Sequence, residues 1–141
     1  MKDSLLISKF QYYSVWALRI TIVAIFLYHG LPKAIYWNAA MEKFVSFGLP
    51  GFLGPITGIA EVIASVLLLS SRFWKIANYI LLFIIAGAIV TVQLPAYIED
   101  IKKVAGLERD LLILVGHIVL LSFDPKLIFA RPSVSDSVMP Q

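Results

Sequence analysis

No cysteine occurs among the 141 residues. Disulfides, thiolate zinc sites, iron–sulfur clusters and thiol relays supplied by this chain alone are therefore excluded. Charge is scarce too: Asp, Glu, Lys and Arg make up 15% of the chain and hydrophobic residues 60%, where a soluble domain carries about a quarter charged and about half apolar. No basic run with interleaved aromatics exists, so the net charge of +3 is a topology signal and nucleic acid is not an expected partner. The length suffices for one compact bundle and leaves none over for a soluble catalytic or cofactor domain. What remains is apolar sequence in long stretches, the signature of an integral membrane protein in contact with a lipid bilayer.

Four stretches are long enough to span, at about 1.5 Å per helical residue. They cover about 14–30, 52–70, 74–94 and 108–123, closed in turn by Leu31-Pro32, the turn after Ser70, Pro95 and Asp124-Pro125. Lys2 and Lys9 precede the first as in a signal peptide. It contains Arg19 and bulky aromatics and ends without a small-residue cleavage site, so it is expected to stay as an anchor. Between the first two spans, Ala40, Phe44 and Phe47 recur at helical spacing after an Asn38 cap, with Glu42 in the first turn. This predicts a short amphipathic helix on the membrane surface. The fold class expected is thus all-α, an antiparallel four-helix transmembrane bundle with one interfacial helix. A single domain covers 1–131 and a disordered tail 132–141, rich in Ser, Val, Asp and Pro.

Lys and Arg outside the spans set the orientation. The side with both termini holds Lys2, Lys9, Arg72, Lys75, Lys126 and Arg131. The other holds Lys33, Lys43, Lys102, Lys103 and Arg109, offset by Glu42, Glu99, Asp100, Glu108 and Asp110. Both termini are therefore expected in the cytoplasm, with the protein in the plasma (inner) membrane.

A charge deep in hydrocarbon is costly and usually has a partner and a function. Counted from the outer ends of their spans, Arg19 lies about 16 Å down, Glu61 about 14 Å and His117 about 11 to 14 Å. The three are expected to share a buried polar layer near the midplane. His29, Lys33, Gln93 and Glu108 would line an outer vestibule above it. Gly54, Gly58, Glu61 and Ser65 share one stripe of the second span, so a packing surface of the Gly-x-x-x-Gly type carries the acid. Asp110, His117 and Asp124 recur every seventh residue, as do Arg19, Phe26 and Lys33. The structural alternative is that Arg19 and Glu61 form an ion pair that only fixes helix register. Tyr12, Tyr13, Trp16, Trp37 and Trp74 read as interfacial belts.

Tyr28-His29-Gly30-Leu31-Pro32-Lys33, Phe47-Gly48-Leu49-Pro50 and Gly58-Ile59-Ala60-Glu61, followed by a fourth span opening at Glu108 and closing at Asp124, resemble the DoxX/DoxD family of small four-span membrane proteins. The resemblance covers about Val15 to Asp124. It matches Arg19, Lys33, Glu61 and Asp124 to positions where the family keeps polar residues. The chain departs from the pattern at Leu121-Ser122-Phe123, where a glycine-containing turn is common. What the resemblance implies is divided among subunits of a thiosulfate:quinone oxidoreductase, members of membrane redox and thiol-stress complexes, and distant assembly chaperones or cargo receptors, so it constrains fold more than function.

Two function classes stay open, and with them whether the chain is an enzyme. In the first it is a redox-associated or quinone-interacting membrane subunit. Arg19 or His117 would bond a carbonyl oxygen of a lipophilic small molecule, and Glu61 with His117 would pass protons outward. Electrons would come from a partner redox subunit or from the substrate, because no covalent or metal cofactor is expected. His29 and His117 differ in depth by about 10 Å, which argues against bis-histidine haem. In the second class the chain is a non-enzymatic, chaperone-like membrane binding or assembly protein, whose Arg19–Glu61 pair is structural and whose Phe44 and Phe47 dock an exported or membrane protein. Homo-oligomerisation through Gly54 and Gly58 is compatible with either.

Overall fold

The computed structural model describes residues 2–123, with side-chain surroundings defined from Phe10 onward, Lys103 excepted. The tail at 132–141 and Asp124 lie outside the described residues. Within them all regular structure is helical: α1 (Lys2–Ile35), α2 (Trp37–Ser46), α3 (Leu53–Leu68), α4 (Trp74–Ala88), a π turn (Ile89–Gln93), α5 (Leu94–Glu99), a 3₁₀ turn (Ile101–Lys103) and α6 (Val104–Ser122).

Two of the expected stops are not stops. Pro32 lies inside α1, in its last turn. It forgoes one backbone donor, and the ladder resumes where Tyr36 N donates to Pro32 O at 2.8 Å. Pro95 sits at the start of α5, directly after the π turn. A proline ring ordinarily clashes with the carbonyl four residues back, and the wider π turn relieves that contact. The first and third apolar segments thus run on to Ile35 and Glu99, giving Phe10–Ile35 and Trp74–Glu99, 26 residues each. Both are long and apolar enough to cross a membrane, at about 39 Å against a hydrocarbon core of about 30 Å. The second is 11% buried over its most apolar stretch, so it is not the core helix of a soluble fold. Phe83, Val90 and Ile98 stand exposed along it. The fourth stretch also starts earlier than expected, at Val104.

Each long helix turns a seam of residues three or four apart inward. Val15, Ile22 and Phe26 come from α1, Ala64 and Leu68 from α3, Trp74, Ala77, Leu81 and Ile85 from α4, and Ile113 and Leu120 from α6. The most extensive packing is between α1 and α3, followed by α3 with α4 and α4 with α6. Glycine sets the first of these. A Cβ on Gly58 would fall 2.6 Å from Lys33 Cβ and 2.7 Å from Ala34 N, and one on Gly30 would fall 2.8 Å from Glu61 Cβ. The two backbones approach more closely than any side chain at these positions permits. Gly54 makes the corresponding approach to α2, where a Cβ would meet Ala40 O at 2.5 Å. The Asn38 cap does not form, since α2 opens at Trp37 with no side-chain cap. Ala40 N donates to Tyr36 O at 3.0 Å while Tyr36 N is still bonded to α1, leaving no break for a cap to fill.

Between α4 and α6 the join is polar. Asn78 Nδ2 donates to the backbone oxygen of His117 at 3.0 Å, and Asn78 Oδ1 stands 2.5 Å from His117 Nδ1. Both residues are fully buried.

Gly58→Leu is expected to force α1 and α3 apart and to cost upwards of about 2 kcal/mol, by the overpacking of a closed contact. Gly87, where a Cβ would meet nothing within 4 Å, is the control: Gly87→Ala should be neutral or raise stability by up to about 1 kcal/mol. Asn78→Leu removes both bonds of the α4–α6 join and should cost about 1 to 2 kcal/mol, the scale of interhelical hydrogen bonds in membranes plus an unsatisfied His117. Thermal unfolding in detergent measures all three.

Candidate functional site

The α1–α3 register decides which charges meet. Glu61 lies against Gly30, not Arg19, and its Oε1 accepts a hydrogen bond from Lys33 Nζ, with side chains 5% and 23% exposed. The expected midplane layer of Arg19, Glu61 and His117 is therefore corrected. Gly30 and Arg19 are eleven residues apart, about 16 Å along α1. Depths counted from Gly30 and Phe52 as common outer ends put the two about 2 Å apart and were wrong by about 14 Å, because α1 continues past Gly30 alongside the first turns of α3.

Arg19 has a different contact. It is fully buried, with Nη2 donating to Leu68 O and its guanidinium 4.7 Å from the Trp16 ring centroid. Leu68 is the last residue of α3, where carbonyls lack intrahelical partners and carry the negative end of the helix dipole. Arg19 is a cationic cap there, a contact worth about 0.3 to 2 kcal/mol.

His117 occupies a third position. Its ring meets Phe26 edge-on, with centroids 5.5 Å apart. The bond from Asn78 Nδ2 to the His117 carbonyl orients the amide, so Asn78 Oδ1 faces Nδ1 and accepts its proton. Nε2 then carries the lone pair, and it has no hydrogen-bond partner among the described residues.

Above Phe26 the helices part around a cavity of about 770 Å³, within the range of small-molecule sites, about 300 to 1,000 Å³. Its inner wall is apolar, from Phe26, Ile84, Ile85, Ala88 and Ile113. Polar groups come from both sides: His29, Lys33 and Glu61 from α1 and α3, and Gln93, Arg109 and Asp110 from the π turn and α6. Lys43, Phe44 and Phe47 close it from α2 and the turn that follows. Of the expected vestibule, the structure brings His29, Lys33 and Gln93 together, adds Glu61 from the expected deeper layer, and leaves Glu108 on the exposed surface. His117 lies against Phe26, outside the lining.

The far wall is a closed network. Gln93 Nε2 donates to Asp110 Oδ2 at 2.9 Å and Arg109 Nε to Asp110 Oδ1 at 2.8 Å. Gly106 makes room for it, since a Cβ there would stand 2.5 Å from Gln93 Oε1. Sequence reasoning missed Asn78, Gly106 and the pairing of Gln93 with Asp110. A lone amide in an apolar stretch is a signal that would have found Asn78; nothing in the sequence marks Gly106. Among the described residues no three His, Cys, Asp or Glu side chains converge as metal ligands would. Glu61 with Lys33 offers charge and hydrogen bonding at one side of an apolar chamber, an arrangement suited to orienting a lipophilic molecule with polar substituents.

The DoxX family model matches residues 14–94, more than half of the chain. That region holds Arg19, Lys33, Glu61, Asn78 and Gln93; Asp110 and His117 lie beyond it. A protein of Bacillus subtilis (strain 168) named "Putative oxidoreductase CatD" is 33% identical over 79 residues, 56% of this chain and 59% of that protein. The chain thus spans less than two thirds of the length of the curated relative that it matches. No solved structure matches. With its long apolar helices, its glycine-set α1–α3 seam and a family match over most of that seam, the chain belongs to the DoxX family.

Proposed function

We propose that this DoxX protein is a redox-associated membrane subunit whose cavity holds a lipophilic ring ligand of the quinone class. The observation that carries the reading is the cavity itself: an apolar chamber between Phe26, Ile85 and Ile113 with the Lys33–Glu61 pair on its wall. The name of the Bacillus relative, "Putative oxidoreductase CatD", is consistent with it. In this reading α1, α3, α4 with α5, and α6 form an antiparallel four-helix bundle in the inner membrane. Both termini are cytoplasmic and the cavity opens toward the opposite face. Electrons are supplied by a partner redox subunit or by a substrate.

A second reading, a non-enzymatic assembly protein, draws on the outer face of α2, where Trp37, Met41 and Val45 are exposed. Phe44 does not serve it, because it faces the cavity. The first reading is preferred because it accounts for the chamber.

The absence of native cysteine makes the topology directly testable. Ser46→Cys is expected to react with a membrane-impermeant maleimide applied to intact cells, and Ser71→Cys only after the membrane is opened; the reverse pattern overturns the orientation. For the ligand, tetramethyl-1,4-benzoquinone in its quinone and hydroquinone forms is titrated against protein in detergent. Saturable binding of at least one form is expected, weakened about 10-fold or more by Glu61→Ala, the loss of a charge-assisted hydrogen bond. Ala88→Trp should abolish it by filling the chamber while the melting temperature stays close to that of the parent. A folded parent that binds neither form rules the reading out.

A further inference from the structure

The two oxygens of Glu61 are not equivalent. Oε1 accepts from Lys33, whereas Oε2 is shielded from solvent and accepts no hydrogen bond among the described residues. Glu61 as a whole is 4% exposed. The ammonium beside it carries donors only, and a carboxylate held by such a group is acceptor-only. An acceptor left bare in this way carries a desolvation cost, and a larger one when the group is charged. The other carboxylate on the wall is different, because each Asp110 oxygen accepts a hydrogen bond, one from Gln93 and the other from Arg109. Of these two wall carboxylates, Glu61 is thus the one with an oxygen that has no donor among the described residues, and the carboxylate torsion is soft enough to turn it toward a ligand.

This asymmetry discriminates between the two forms of a ring ligand. A carbonyl oxygen brings lone pairs only and would face Oε2 repulsively, while a hydroxyl brings the missing proton. We propose that the cavity selects the hydroxyl-bearing, reduced form, a lipophilic hydroquinone or phenol whose O–H is donated to Glu61 Oε2, over the corresponding carbonyl form. The inference rests on the reading of the cavity as a ring-ligand site. Selective binding of the reduced form raises the midpoint potential of the bound couple, by about 30 mV for each tenfold of preference in a two-electron couple.

The test is an anaerobic titration of the full chain in detergent with tetramethyl-1,4-hydroquinone, the matching quinone, and the dimethyl ether of the hydroquinone. The hydroquinone is expected to bind roughly 10-fold or more tighter than the quinone, the scale of one hydrogen bond to a charged group. The ether keeps the ring and loses both O–H groups, and should lose the same factor without any change to the protein. Glu61→Gln, whose amide both donates and accepts, should bring the ratio of the two affinities near one. If the quinone or the ether binds as tightly as the hydroquinone, the selection is wrong although the cavity remains a ligand site. If no form binds to folded protein, the ligand reading falls with it.

Discussion

The close approach of two backbones at Gly58 and Gly30 is the constraint on which the rest of the molecule depends. Helices usually meet at 8 to 10 Å because side chains intervene. Here a Cβ on Gly58 would overlap α1 and one on Gly30 would overlap Glu61. Contact of this kind admits one register and no neighbouring one. That register brings Lys33 to Glu61 and Arg19 to Leu68, so one half-buried and one buried cation acquire their contacts from a pair of residues with no side chains. The same stripe continues to Gly54, which seats α2 and so closes the cavity's third side.

The two cations then have different uses. Arg19 answers a problem of backbone chemistry: Leu68 is fully buried at a helix end where Leu69 N and Ser70 N serve the carbonyls of Val66 and Leu67, and the Leu68 carbonyl needs a donor from elsewhere. A guanidinium stacked on Trp16 supplies one. Lys33 answers a problem of side-chain chemistry, a carboxylate among apolar residues, and answers half of it by bonding one oxygen. The first arrangement joins a cation to a helix end and reads as structure. The second is incomplete in itself and reads as a site.

Much of this was legible in the chain and some was not, for identifiable reasons. The order of helices, the intervening short helix and the stripe Gly54-Gly58-Glu61 follow from periodicity, which is local. His29, Lys33 and Gln93 were grouped by their height above the apolar stretches, which is coarse enough to tolerate error. The pairing of Arg19 was misjudged because relative depth requires knowing where each helix ends, and Pro32 and Pro95 were taken as ends. Proline forbids one hydrogen bond, and a last turn or a π turn can dispense with that bond. Asn78 was overlooked because an amide in an apolar stretch carries no charge to draw notice, although its two bonds join α4 to α6. Gly106 had no signal, since its role exists only once Gln93 lies against it.

The π turn at Ile89–Gln93 follows Gly87, whose carbonyl accepts from Thr91 Oγ1 at 2.8 Å, and it holds one residue more than an α-helical ladder accommodates. Angular phase and residue number therefore part company within a single continuous rod, by about 100° for that one residue. Below it, Leu81 and Ile85 continue the inward seam of the helix core; at its last residue, Gln93 is turned to Asp110. One rod thus holds two inward directions in series, and the chamber draws on both, with Ile84, Ile85 and Ala88 before the turn and Val92 and Gln93 within it.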